Sequence, residues 1–239
     1  MTLSIATGEK ITLFMACALT ALAAWPISRL RNDVPVLAVG WPARPSPLLL
    51  KFLIGSALWA AAVGAFNPFT NVFFVHYLGV PITQLGNFFS FAQLVQAAAV
   101  LLMPFLLRRA GLISGVMAAQ LATACALALL ALGHRIWHEE VFYCAFLGGQ
   151  HMCDPALQSL LMDRVDPAER SSAAAMYFLA ISIAQAASAT ASGAAFERFS
   201  YPPVLTGIAT ATVAAAFGFR ILCSTGQNRN KSTKLSFRI

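Results

Sequence analysis

The feature that most constrains the fold is a series of long apolar runs that contain almost no charged residue. A helix needs about 20 apolar residues to cross a hydrocarbon core of about 30 Å, and in lipid only a helix satisfies the backbone of such a run. The sequence therefore predicts an all-α, polytopic transmembrane bundle of about seven membrane helices. The predicted spans are 11–27, 49–77, 84–107, 112–133, 141–163, 171–195 and 202–222.

The chain carries too few charges for a soluble protein. Of its 239 residues only 10% are charged, whereas a soluble domain carries about 25%. Disordered and nucleic-acid-binding chains are also excluded, because the basic residues alternate with apolar runs instead of forming one patch in a polar sequence. This composition indicates the lipid bilayer as a partner, and it does not indicate a nucleic acid.

No metal site, cofactor site or enzyme motif stands out. The five cysteines lie in or beside apolar runs without a C-x-x-C pair, so we expect them to act as small buried hydrophobes. His134 and His138 share a helix face, but a zinc site would need further ligands there. The chain also lacks a G-x-S-x-G or Walker motif. We therefore expect no metal, no cofactor and no catalysis.

The domain organisation follows from the spans and the prolines between them. Residues 1–27 form an N-terminal tail with the first membrane helix, 28–48 a Pro-rich cytoplasmic linker, 49–222 a six-helix transmembrane bundle and 223–239 a basic cytoplasmic tail. Prolines interrupt helices, so the linker cannot continue the first span. That span leaves two interpretations open. Arg29 and Arg31 favour a membrane helix stopped by positive charge, while its shortness and alanine-rich end are also typical of a signal peptide.

The distribution of positive charge predicts the orientation. Thirteen of the sixteen Lys and Arg residues fall on the side of the C-terminus, and basic residues are retained on the cytoplasmic side. We expect a multi-pass protein of a bacterial plasma (inner) membrane with a cytoplasmic C-terminus.

Three local patterns carry a resemblance to a known family. They are Asn67-Pro68-Phe69-Thr70-Asn71, Pro104-x-x-x-Arg108-Arg109-x-Gly111 and the run Met162 to Arg170. Together with the Pro-rich linker and six following helices, they resemble the C-terminal half of a major facilitator superfamily (MFS) transporter with the preceding helix. Arg109 and Gly111 match the family's cytoplasmic turn motif, Gly-x-x-x-Asp-Arg/Lys-x-Gly, whereas Pro104 and Arg108 depart from it.

The two cytoplasmic patterns also have physical interpretations of their own. Gly111 allows a tight turn between two helices, and Arg108 and Arg109 can bind anionic lipid headgroups. Asp166 is a good N-cap, and Glu169 at the third helical position can reach back to it. The sequence therefore predicts a capped helix start at Asp166.

The richest intramembrane polar cluster lies in the fifth span. Gln150, Asp154 and Gln158 are spaced i, i+4 and i+8, and His151 lies on the same face. Intramembrane acids often mark proton relays, so Asp154 and His151 are candidates for proton coupling. In the alternative, Asp154 stays neutral and hydrogen-bonds backbone freed by Pro155.

Four further amides are candidates for the substrate pathway, alongside Gln150 and Gln158. Asn67 and Asn71 share a face around the helix break at Pro68, and broken helices line transporter sites; a helix–helix hydrogen bond is the alternative. Asn87 and Gln93 lie in the third span. The Ala- and Ser-rich span 171–195 is expected to serve helix packing.

The resemblance implies secondary active transport of a small solute by alternating access, with protons as a possible second partner. MFS transporters consist of two six-helix halves, and this chain holds one half plus one helix. We therefore expect that transport needs a missing N-terminal half, a partner chain or a homo-oligomer. The alternative is a truncated or non-transporting MFS-like module that acts as an assembly or regulatory partner.

Overall fold

The computed structural model describes residues 46–236 except His134 and Ala168, together with isolated positions between Lys10 and Arg29; of residues 223–236 it describes the backbone alone. The chain divides into two compact units, Met1–Val39 and Gly40–Ile239. Phe14 and several neighbouring positions of the first unit are helical and exposed. The remainder of the predicted span 11–27 and most of the linker 28–48 lie outside the described residues.

Long helices make up nearly all of the described part of the second unit, which contains no strand. They are α1 (Pro47–Gly64), α2 (Ile82–Ala110), α3 (Leu112–Leu132), α4 (Ile136–Arg164), α5 (Arg170–Arg198) and α6 (Tyr201–Ser236). The predicted all-α membrane bundle is confirmed.

Five helical segments are long and apolar enough to cross a membrane: 47–77, 82–110, 112–132, 170–198 and 201–222. The predicted span 141–163 lies within α4 but is not among them. The reason is its polar stripe, since Gln150, His151, Asp154 and Gln158 replace apolar side chains in the middle of the helix.

The polypeptide after α1 is irregular because of one proline. A 3-10 turn (Asn67–Phe69), a short α-helical turn (Thr70–Val72) and a π-helical stretch (Phe73–Tyr77) follow in succession. Pro68 has no N–H to continue the α1 hydrogen bonds, and the Phe69 N–H bonds instead to Phe66 O at 2.9 Å. The predicted break at Pro68 is therefore present.

A cluster of aromatic rings surrounds this irregular segment. Phe66, Phe73 and Phe74 are completely buried. The Phe74 ring packs on those of Phe88 and Tyr143, with centroids 4.6 and 5.4 Å away. These rings join the end of α1 to α2 and α4, so they belong to the core.

The helices pack unevenly. α3 packs closely against α4 and α6, α1 against α5 and α6, and α2 against α4, whereas α4 touches α1 and α5 at few points. These contacts follow the order α2, α4, α3, α6, α1, α5. The helices at the two ends, α2 and α5, are the most exposed. Only 11% of the most apolar stretch of α2 and of α5 is buried, against 61% for the segment that begins with α1. A gap thus remains between α1, α4 and α5.

The two turns that carry the predicted cytoplasmic motifs differ from each other. Gly111 alone links α2 to α3, and its φ of +80° is a conformation that favours glycine. Arg108 and Arg109 are exposed in the last turn of α2, where positive charge interacts well with the helix dipole.

The predicted cap at Asp166 is wrong. α5 begins at Arg170 with Glu169 as its N-cap residue, and no side chain caps it. Asp166 instead begins a turn in which its carbonyl accepts a hydrogen bond from the Glu169 N–H at 2.9 Å. The capping pattern is local, and here the chain uses these residues to complete the reversal between α4 and α5.

Candidate functional site

A polar cavity of about 170 Å³ occupies the gap between α1, α4 and α5. Its position along the helices follows from their rise of about 1.5 Å per residue. Asp154 lies about 15 Å from the end of α4, and Ser56 lies about 14 Å from the start of α1. Because a hydrocarbon core is about 30 Å thick, the cavity is near the middle of the bundle. Its walls consist of Ser56, Trp59, Ala60, Val63, Gln150, His151, Asp154, Gln158, Tyr177, Phe178, Ile181 and Gln185.

The wall on α4 is the predicted polar stripe. Gln150, His151, Asp154 and Gln158 all line the cavity, because their spacing places them on one face of a continuous helix. Pro155 lies inside α4 without ending it. It removes the N–H that would bond to the His151 carbonyl in a regular helix, which leaves α4 with one weakened point at the cavity.

His151 and Asp154 form a close pair on this wall. His151 Nδ1 lies 3.1 Å from Asp154 Oδ2, and their side chains are 31% and 51% exposed. The hydrogen bond that the structure gives Asp154 is therefore with a side chain, whereas the alternative interpretation placed it on backbone freed by Pro155. Neither side chain is enclosed by the described residues.

The walls on α1 and α5 contain functional residues that sequence analysis missed. Ser56 and Trp59 on α1 and Tyr177 on α5 are almost completely buried, and all three line the cavity. Gln185 also lines it, although its helix was expected to serve packing alone. A single serine or tyrosine in an apolar run does not indicate which face of its helix will line a cavity. The one signal present was Gln185, the only amide in the span 171–195.

Two buried oxygen atoms of the cavity residues lack hydrogen-bond partners among the described residues. They are Ser56 Oγ on α1 and Gln150 Oε1 on α4, on side chains that are 1% and 5% exposed. More than nine in ten buried polar groups in proteins have a partner. Two helices that line the cavity thus each hold an enclosed polar atom without a partner among the described residues.

The other predicted pathway residues do not line this cavity. Asn67 is partly buried in the 3-10 turn, while Asn71, Asn87 and Gln93 are exposed. Asn71 belongs to the short helical turn before the π-helical stretch, and the other two lie on α2. Of the predicted pathway and proton-coupling residues, only those on α4 lie together at the cavity.

A larger groove of about 830 Å³ between α1, α5 and α6 is apolar. Its serines have partners already: Ser188 donates to Gln185 O at 3.0 Å and Ser192 to Ala65 O at 2.6 Å. No group of three or more possible metal ligands occurs in the described part of the chain. The polar cavity is thus the better candidate for solute chemistry.

Comparison with known proteins gives one family. The family model described as Major Facilitator Superfamily matches residues 52–236, which include most of α1 and all of α2 to α6. No curated protein matches the chain.

Proposed function

The chain belongs to the Major Facilitator Superfamily of membrane transporters, and on that basis we propose that it moves a small polar solute by alternating access through the polar cavity. The observation that carries the proposal is the pair of buried, unpartnered oxygens, Ser56 Oγ and Gln150 Oε1, within the described residues. Both oxygens are enclosed as the structure stands, so each side chain would rotate toward the cavity to accept a hydrogen bond from a donor of the solute. Gln158 and Gln185 line the same space and supply further amide contacts.

The size of the cavity supports a small solute. Its volume of about 170 Å³ equals that of about six water molecules at about 30 Å³ each. Pockets for drug-sized ligands occupy about 300–1,000 Å³. The proposed solute is therefore small, or it extends from this wall into a space completed by a second unit. Asn67, Asn71, Asn87 and Gln93 stay predictions for such an extended pathway.

The proposed proton-coupling group is the His151–Asp154 pair. Its atoms are 3.1 Å apart, a distance at which ring and carboxylate can share a proton. Ionisable groups inside membrane bundles mark proton and substrate pathways, and both side chains are open to the cavity. Binding of a proton at this pair would change the charge that the solute meets.

The test is uptake into vesicles that contain the chain, alone and together with a second six-helix unit, with a panel of sugars, amino acids and organic ions as probes. We expect Asp154→Asn to remove the pH dependence of uptake. Asp163→Asn is the matched control, because Asp163 lies on the same helix, is exposed and does not line the cavity. An unchanged pH profile in Asp154→Asn would exclude the coupling role.

The exposed faces of α2 and α5 support the proposal that a second six-helix unit completes the pathway. These helices bury only 11% of their most apolar stretches. The second unit is a preceding half, a partner chain or another copy. Absence of uptake for the whole panel, with the partner present, would favour the second candidate function. That candidate is a non-transporting module, and Arg108 at the acidic position of the turn motif speaks for it.

The proposed location is a bacterial plasma membrane with the C-terminus in the cytoplasm. Arg108 and Arg109 at the end of α2, and Arg164 and Arg170 between α4 and α5, belong to the same end of the bundle because neighbouring helices alternate in direction. This asymmetry of charge is typical of the cytoplasmic side. Labelling of a single added cysteine after residue 236 from either side of right-side-out vesicles would test the orientation.

A further inference from the structure

The first turn of α4, at the end of the bundle opposite Arg108, holds an enclosed carboxyl group. Glu139 in the first turn of α4 has an exposed fraction of 0%. Neither of its carboxyl oxygens has a hydrogen-bond partner among the described residues. A Cβ atom added to Gly133 would overlap this carboxyl group, so the carboxyl fills the space beside the glycine that ends α3.

The charge state of Glu139 depends on the groups around it. At the start of α4 these are the exposed N-cap residue Arg135, half-buried His138 and Glu140, and buried Tyr143. The last turn of α3 and the first two turns of α2 carry no ionisable side chain. The irregular segment and α6 carry the exposed His76 and Tyr77 and the half-buried Tyr201, and His134 lies outside the described residues.

These surroundings favour the neutral carboxyl. Glu139 precedes the predicted span 141–163, and burial raises its pKa from the ordinary value of 4.5 to about 7. A buried carboxylate is strongly unfavourable unless a partner neutralises it, and the described residues supply none. The neutral carboxyl is therefore the form that fits this position.

We propose that Glu139 is a proton-binding switch, separate from the polar cavity, that keeps the first turn of α4 packed against Gly133 when protonated and opens it when ionised. On ionisation the O–H bond breaks, the proton passes to water, and the carboxylate moves from beside Gly133 into solvent. The turn must then loosen, because its carboxyl was filling that space. α4 also carries His151 and Asp154, so the switch acts on the helix that forms one cavity wall.

Hydrogen–deuterium exchange of the full chain in detergent micelles tests this proposal. The readout is the opening constant of the first turn of α4, corrected for the intrinsic pH dependence of exchange and compared with that of the α2–α3 turn. With a pKa of 4.5 in the open turn and about 7 in the packed turn, the opening constant should rise about thirtyfold between about pH 5.5 and about pH 8.5. The α2–α3 turn should show no such rise.

Two variants assign the response. Glu139→Gln resembles the protonated side chain and should stay protected at both pH values. Glu140→Gln, the matched control in the same turn, should keep the wild-type response. An equal response in Glu139→Gln would assign it to another group, such as His138, and overturn the proposal, as would a wild-type turn that does not respond.

A further variant covers the case in which Glu139→Gln fails to fold. Gly133→Ala places a methyl group where the carboxyl packs. The turn should then exchange rapidly at both pH values while the rest of the bundle stays protected. A protected turn in Gly133→Ala would contradict the proposed packing.

Discussion

One hydrogen bond fixes α5 to the end of α1, and its removal should destabilise the bundle measurably. Ser192 on α5 donates to the carbonyl of Ala65 at 2.6 Å, closer than the Ala189 carbonyl of its own helix at 3.1 Å, and Ser192 and Ala65 are both buried. That carbonyl has lost its own helical donors, because Pro68 has no N–H and the Phe69 N–H bonds to Phe66 O. Ser192 therefore satisfies a carbonyl that the proline break left free.

The expected magnitude for Ser192→Ala is about 1–2 kcal/mol. A buried carbonyl left without a donor costs about 1–3 kcal/mol. Hydrogen bonds between membrane helices measured in double-mutant cycles average about 0.6 kcal/mol, with a maximum of about 1.7 kcal/mol. The position at a break, where no other backbone donor is at hand, places this bond in the upper part of that range.

The assay is unfolding of the purified chain by SDS in mixed micelles, followed by far-UV circular dichroism. Ser188→Ala is the matched control, since Ser188 lies one turn earlier and donates to Gln185 O within its own helix at 3.0 Å. We expect its effect to stay within about 0.5 kcal/mol. Equal midpoints for Ser192→Ala, Ser188→Ala and the unmodified chain would refute the reasoning.

Three more outcomes follow from other contacts. Gly64→Ala should cost about 1–3 kcal/mol in the same assay and lower uptake, because its Cβ would lie 2.8 Å from Gln185 Cγ and push that side chain into the cavity; unaltered uptake would contradict this. Gly149→Val should separate α3 from α4, since a Cβ there lies 2.6 Å from Thr123 Oγ1, and proteolysis should then cleave α4 faster. The folded state holds the Glu139 proton more tightly than the unfolded state, with pKa values of about 7 and 4.5. Its contribution of about 3 kcal/mol is therefore complete below about pH 4.5 and lost as the pH rises through 7; in Glu139→Gln this slope should vanish.

The helices and one wall of the cavity could be predicted from the sequence, because both depend on local periodicity. The spacing of Gln150, Asp154 and Gln158 determines that they share a face, whatever α4 packs against. The break at Pro68 is equally local. The π-helical stretch that follows has no sequence pattern of its own, and its Phe73 and Phe74 rings are buried among other aromatic rings.

The other two walls could not be predicted, since they depend on which helices become neighbours. Ser56 and Tyr177 are single polar groups in apolar helices, and only the packing of α1 against α5 brings them to α4. The cap at Asp166 failed for a related reason. Its pattern permits a helix start, but the reversal from α4 to α5 uses the same residues for a turn.

The polarity of α4 has a consequence for how the chain enters the bilayer during synthesis. Translocon-based scales assign a cost of about 2.5–3.5 kcal/mol to an aspartate at the centre of an inserting helix, so α4 is a poor candidate for insertion alone. α3 is synthesised just before it, has the highest mean hydropathy of the five apolar segments and packs closely against α4. We expect the two to insert as one helical hairpin, in which the apolar side chains of α3 compensate for the polar groups that α4 brings to the cavity.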